Sequence, residues 1–76
     1  LWVQFADKET FFTDENDLKA ILTSYPGKNP VVIYCKAERA VNRLGSSFMV
    51  SDDENLIFDL EKRYGKENIR IRSLGI

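Results

Sequence analysis

Few residues of this chain have side chains suited to catalysis. Its 76 residues include no His and a single cysteine, Cys35. The lack of imidazole excludes the commonest general base, the usual zinc-ligand sets and Cys–His nucleophiles. Because Cys35 ends an apolar run, we expect a buried thiol that packs as a small hydrophobe. A lone cysteine forms no internal disulfide, which favours a reducing, cytoplasmic setting.

Clustered carboxylates and glycines are the next candidates for a site. Asp52, Asp53 and Glu54 could suggest a magnesium ion, but they fall in the first turn of a predicted helix, where capping and the helix dipole explain them. The four glycines are isolated, and none belongs to a phosphate-binding glycine-rich loop. We therefore predict no catalytic residue, metal, cofactor or small-molecule substrate.

Aromatic side chains are numerous for this length, with five Phe, three Tyr and one Trp. Several of them, together with the single Met, lie off the apolar stripes of the predicted helices. Aromatic residues and Met are enriched at the centres of protein interfaces. Some of these residues must fill the core, and two or three that remain exposed together would form a protein-binding patch. The candidates are Trp2, Phe11, Phe12, Phe48 and Met49.

Four arginines suggest an alternative function, the binding of single-stranded nucleic acid: Arg39, Arg43, Arg70 and Arg72. The net charge of −1 gives no strong basic excess, and the C-terminal strand that carries two of them shows no stacking aromatic. Solvated charges that protect a sheet edge are the other interpretation of the same residues.

The elements that would position these residues begin with a strand over residues 1–5, where apolar side chains alternate. A polar turn over residues 7–10 follows. Thr13 or Asp14 then caps a helix, and Phe12 is predicted to pack on its first turn as a hydrophobic staple. Pro26-Gly27 ends the helix and opens a short loop. The buried stripe of this helix is Leu18, Ile21, Leu22 and Tyr25.

Residues 30–35 form a continuous apolar run, which predicts a central strand covered on both faces. With the first strand and helix it makes a parallel βαβ unit. Residues 36–50 are ambiguous. Their apolar spacing favours a short helix, while residues 39–44 also fit a strand that pairs with its neighbour, and residues 48–50 fit a small edge strand. The helical interpretation rests on Ala37, Ala40, Val41 and Leu44.

A second principal helix begins at a predicted capping box from Ser51 to Glu54 and ends at Gly65, a C-cap glycine. Its apolar stripe is Leu56, Ile57, Leu60 and Tyr64. A last strand over residues 68–72 places Ile69 and Ile71 inward and both arginines outward, as at a sheet edge or an open face.

These elements predict an α/β domain of the α+β kind. It is a small two-layer sandwich with a three- or four-stranded sheet, two principal helices and a possible short third helix. Residues 1–76 form one domain. Because the chain opens in a strand without an initiator Met, we expect it to be a fragment of a longer chain. No segment reads as a signal peptide or a membrane span.

Three motifs carry a family resemblance. Residues 27–34 fit G-x-x-P-V-x-[IL]-Y, residues 50–60 fit V-x-x-[SD]-x-x-L-[IL]-x-x-L, and residues 64–71 fit [YF]-G-x-x-N-[IV]-x-[IV]. In this order, after a strand and a helix, they resemble the extreme C-terminal region of bacterial DNA polymerase III alpha subunits.

The resemblance implies a non-catalytic interaction module that follows an oligonucleotide/oligosaccharide-binding domain. In some members of the family this region contacts the tau subunit of the clamp loader. The parent chain would be a DNA-directed DNA polymerase, a nucleotidyltransferase whose catalytic aspartates lie far upstream. DNA would then be reached through the parent, and the direct partners would be replisome proteins.

Overall fold

The computed structural model describes residues 1–70, which form a mixed four-stranded sheet with two α-helices. This confirms the predicted small α+β domain, consistent with a two-layer sandwich. Short 3₁₀ turns cover Ser46–Phe48 and Lys66–Asn68. The main elements are β1 (Trp2–Phe5), α1 (Lys8–Thr23), β2 (Pro26–Asn29), β3 (Val32–Cys35), β4 (Ala40–Arg43), α2 (Glu54–Tyr64) and β5 (Ile69–Arg70).

The sheet has the strand order β4-β3-β1-β5. β1 and β3 are parallel and connected through α1, which confirms the predicted βαβ unit. β4 pairs with the outer edge of β3 and β5 with the outer edge of β1, both antiparallel. Among residues 1–70, no helix is long and apolar enough to cross a membrane.

The core lies between the helices and one face of the sheet. Val3 and Phe5 of β1 and Ile33 and Cys35 of β3 are buried on this inner face. They pack in one cluster with leucines of both helices: Leu18, Leu22, Leu56 and Leu60. The alternating side chains Val32 and Tyr34 are only half-buried. The prediction that this strand is covered on both faces is therefore wrong: its second face is open.

α1 begins earlier than predicted. Asp7 is its N-cap, and its carboxylate accepts hydrogen bonds from the backbone N–H and the hydroxyl of Thr10, each 2.7 Å long. The predicted turn over residues 7–10 and the predicted cap at Thr13 or Asp14 are both wrong. The earlier start buries Phe11 against Phe5, with ring centroids 5.3 Å apart. Phe12 is 63% exposed and forms no staple.

The segment after α1 is a strand rather than the predicted loop. β2 lies outside the main sheet and forms isolated antiparallel bridges from Pro26 and Asn29 to Val50. Gly27 sits against the backbone of residues 50–51, where a Cβ would lie 2.3 Å from the amide nitrogen of Ser51. This close approach explains the glycine of the G-x-x-P motif.

Residues 36–50 do not form the predicted third helix. They form a hairpin in which β4 pairs with β3, so the strand interpretation of residues 39–44 is confirmed. Arg39 lies in the turn with a φ of +52°, which no α-helix accommodates. Backbone pairing with the exposed edge of β3 outweighs the helical spacing of the apolar residues, because an unpaired strand edge leaves donors and acceptors unsatisfied.

α2 and its buried stripe are confirmed, with Leu56 and Leu60 fully buried. Its N-cap is Asp53, which accepts from the amide of Asn55 at 2.8 Å, so the predicted capping box is wrong. The amide of Ser51 instead donates to the carbonyl of Tyr25 at 2.9 Å. Gly65 has a φ of +94° and its amide donates to a carbonyl of the last turn, as predicted for a C-cap glycine.

β5 confirms that the last strand lies at a sheet edge, with Ile69 buried and Arg70 exposed. The predicted positions of Ile71 and Arg72 lie outside the described residues.

Candidate functional site

The single cysteine of the chain lies in surroundings that make its thiol unreactive. Cys35 is buried at the end of β3, and desolvation raises the pKa of its thiol, with a further increase from the nearby carboxylate of Glu38. The thiol therefore stays protonated near neutral pH. Within residues 1–70, no three His, Cys, Asp or Glu side chains are grouped to hold a metal ion.

One polar cluster joins the two helices beside an open cleft of about 830 Å³. The guanidinium of Arg63 on α2 donates to both carboxylate oxygens of Asp14 on α1, at 2.6 and 3.1 Å, and to Asp17 at 3.0 Å. The hydroxyl of Tyr64 also donates to Asp14. The hydrogen bond from Arg63 lowers the pKa of Asp14, and desolvation raises that of Tyr64. These side chains satisfy one another's hydrogen-bonding groups, so the cluster holds α1 against α2.

The five candidates for the protein-binding patch, four aromatic residues and Met49, are not brought together. Trp2 lies on the outer face of the sheet, whereas Phe11 is 3% exposed in the core on the other side. Phe11 therefore cannot belong to an exposed patch. Phe12 is exposed on α1. Phe48 and Met49 are half-buried before Val50, with the ammonium of Lys19 4.9 Å from the Phe48 ring centroid.

The outer face of the sheet collects side chains from all four strands. The register aligns Arg43, Val32, Trp2 and Arg70 in one row across β4, β3, β1 and β5. A second row holds Val41, Tyr34 and Gln4. None of these seven residues is buried, and Val41 is 61% exposed. We call them the outer-face set.

Two of the four predicted arginines thus belong to this set, at its opposite edges. Arg39 lies in the β3–β4 turn, and Arg72 lies outside the described residues. Sequence reasoning missed Tyr34 and Val41 as members. The alternation of residues 32–35 could have indicated Tyr34, but the continuous apolar run pointed to a strand covered on both sides.

α2 carries a second exposed surface, which we call the α2 patch. Phe58 is 64% exposed and lies beside half-buried Ile57. The two apolar side chains line a shallow depression together with Asp52, Glu54 and Glu61. An apolar centre with a carboxylate rim is suited to bind an apolar side chain flanked by basic residues. Sequence reasoning missed Phe58, although it falls outside the buried stripe of α2.

A scan against protein-family models and searches of curated proteins and of solved structures found no match to this chain.

Proposed function

We propose that this chain is a non-catalytic interaction module of a bacterial DNA polymerase III alpha subunit, and that it makes a protein–protein contact in the replisome. The motif resemblance over residues 27–34, 50–60 and 64–71 supports the parentage. The observation that carries the contact is the exposure of Phe58 at the centre of the α2 patch. The tau subunit of the clamp loader is the candidate partner.

The α2 patch has the layout of a small binding site. A large aromatic side chain at the centre of an interface, once shielded from water by polar neighbours, accounts for much of the binding energy. Ile57 adds apolar area beside the ring, and the rim of Asp52, Glu54 and Glu61 favours a basic partner segment. The partner is therefore a segment with an apolar side chain among lysines or arginines.

The chemistry of the parent lies outside these residues. Nucleotidyl transfer and contact with template DNA would belong to upstream domains, so this module acts by holding the polymerase in its assembly. A cytoplasmic compartment is part of the proposal. It is supported by the single buried cysteine, which has no partner within the chain for a disulfide.

The test is an NMR titration of the 76-residue chain with the C-terminal domain of a cognate tau subunit. We expect shift changes centred on the α2 patch. Phe58→Ala should weaken binding by about tenfold or more, as truncation of a central aromatic does. Phe12→Ala is the matched comparison, because Phe12 is equally exposed but lies on α1.

Two results would contradict the proposal. The first is an absence of shift changes at high micromolar tau domain. The second is an equal loss of affinity for Phe58→Ala and Phe12→Ala, which would show that the α2 patch is not the contact.

Added salt should slow association, because the acidic rim steers a basic partner.

A further inference from the structure

The outer-face set combines two aromatic rings with two cations. The rings of Trp2 and Tyr34 pack against each other in a tilted pair, with centroids 5.4 Å apart and planes inclined by 31°. They stand on adjacent parallel strands whose register is fixed by the β1–β3 ladder. Both side chains are half-buried, so each ring keeps solvent-facing surface. A nucleobase can stack on the exposed surface of this ring pair, since every nucleobase presents a flat π-face.

The arginines flank the rings at both edges of the sheet. Arg43 and Arg70 lie in the same row as Trp2, at the first and last strands. Three inter-strand spacings of about 4.8 Å separate them, so their backbones are about 14 Å apart. A nucleic-acid strand that crosses the sheet can therefore meet both guanidinium groups while a base stacks on the ring pair between them.

The distribution of charge favours the same occupant. The chain has a net charge of −1, yet the four strands of the sheet as described contain two arginines and no Asp or Glu. The carboxylates described above lie on the helices, in the segments before them and in the β3–β4 turn. The strands of a weakly acidic protein thus contribute only positive charge to this face, to which a phosphate backbone is complementary.

We propose that the outer-face set binds single-stranded nucleic acid, with a base stacked on the Trp2–Tyr34 ring pair and backbone phosphates held by Arg43 and Arg70. Val32 and Val41 complete the apolar floor of this site. The site lies on the side of the sheet away from α2, so it does not depend on the contact proposed for the α2 patch.

Trp2 is the only tryptophan of the chain and reports binding directly. The 76-residue chain is titrated with oligo(dT) and with oligo(rU) of about twelve nucleotides, a length within known single-strand site sizes. We expect quenching of Trp2 fluorescence at low salt. Two phosphate contacts give a slope of log K against log salt of about −1.4. Comparison of the two oligonucleotides distinguishes a DNA from an RNA preference.

The contribution of each residue is tested with variants whose affinity is measured from the fluorescence anisotropy of labelled oligonucleotides. Tyr34→Leu should weaken binding by about tenfold, because stacking on an aromatic ring is lost. Arg43→Gln and Arg70→Gln should each reduce the salt slope by about 0.7. The matched controls lie on the helical layer: Phe12→Leu for the ring and Lys62→Gln for the charge. Both should leave affinity and slope unchanged, and circular dichroism verifies the fold of every variant.

The proposal is overturned if neither oligonucleotide quenches Trp2 at low salt. It is also overturned if Arg43→Gln and Lys62→Gln have the same effect on the slope. Quenching by the tau domain or by an acidic peptide, with none by oligonucleotides, would assign this face to a protein and would also overturn it. Phe58→Ala should leave oligonucleotide binding intact, so failure of one proposal is distinguishable from failure of the other.

Discussion

Replacing Gly27 with Ala tests whether the contact between β2 and residues 50–51 is as close as the structure places it. The added Cβ would lie 2.3 Å from the Ser51 nitrogen and 2.4 Å from the Val50 carbonyl carbon. Ordinary contacts of a Cβ start near 3.4 Å. The two backbone segments must therefore separate by about 1 Å, since neither side of the contact is a flexible side chain.

The cost follows from the bonds that this separation breaks. The amide of Gly27 donates to the Met49 carbonyl at 3.1 Å, and the amide of Ser51 donates to the Tyr25 carbonyl at 2.9 Å. Each contributes about 1 kcal/mol, and displacing buried Val50 adds about 1 kcal/mol. We expect Gly27→Ala to lower the free energy of unfolding by about 2 to 4 kcal/mol, a large part of the stability of a domain this small.

Urea denaturation followed by circular dichroism measures this change, and Gly45→Ala is the matched control. No atom lies within 4 Å of the Cβ that Ala would add at Gly45, whose φ of −66° any residue adopts. Gly45→Ala should raise stability by about 0.4 to 1 kcal/mol by restricting the unfolded chain. If the unfolding free energy of Gly27→Ala lies within about 0.5 kcal/mol of that of the unsubstituted 76-residue chain, the close approach of the two backbone segments is refuted.

Three further predictions concern the stability of the fold in acid, the packing of the core and the reactivity of the Cys35 thiol. Hydrogen bonds at the start of α1 lower the pKa of Asp7, and the neighbouring guanidinium lowers that of Asp14. Both carboxylates thus stabilise the fold above their unfolded value of 3.8, and this stability is lost as pH falls through the lower folded values. The midpoint temperature of thermal unfolding should therefore fall as the pH is lowered through that range. If this midpoint fell equally in Asp14→Asn, which lacks the Asp14 carboxylate, the assignment to Asp14 would be contradicted. Leu60→Ala should lower the unfolding free energy by about 2 to 5 kcal/mol in the same urea assay, whereas a change below about 1 kcal/mol would place Leu60 outside the core. Cys35 should react with iodoacetamide only when the chain opens, so labelling as fast as a free thiol without denaturant would contradict its burial.

The sequence predicts elements whose signal is local and repeated. β1 alternates with period two, and α2 repeats its apolar residues with helical spacing, so both elements match the structure. The sequence predicts the wrong start for α1, because Asp7 and the pair Thr13 and Asp14 are all residue types that cap helices. The deciding contacts are distant in sequence: Phe11 packs on Phe5, and the amide of Lys8 donates to the carboxylate of Glu38 at 3.0 Å.

The candidate sites depend even more on distant pairing. Alternation alone indicates that Trp2 and Arg70 point away from the core. It cannot indicate that Arg43, Val32 and Trp2 stand side by side, because this requires the strand order β4-β3-β1-β5. The hairpin of β3 and β4 was obscured by apolar residues that also fit a helix. The outer-face set could therefore be identified only after the register of the sheet was known.

The central position of β1 has a consequence for folding. Its two neighbours, β3 and β5, begin about 30 and 67 residues later in the chain, so β1 gains its second ladder only when β5 docks. Loop closure over such distances is slow, and folding rates fall as the mean sequence separation of contacts grows. During synthesis, β1 is made early among residues 1–70. The edge of β1 that pairs with β5 therefore stays unpaired until residues 69–70 have left the ribosome. A truncation before Ile69 would leave that edge open to pairing with other chains.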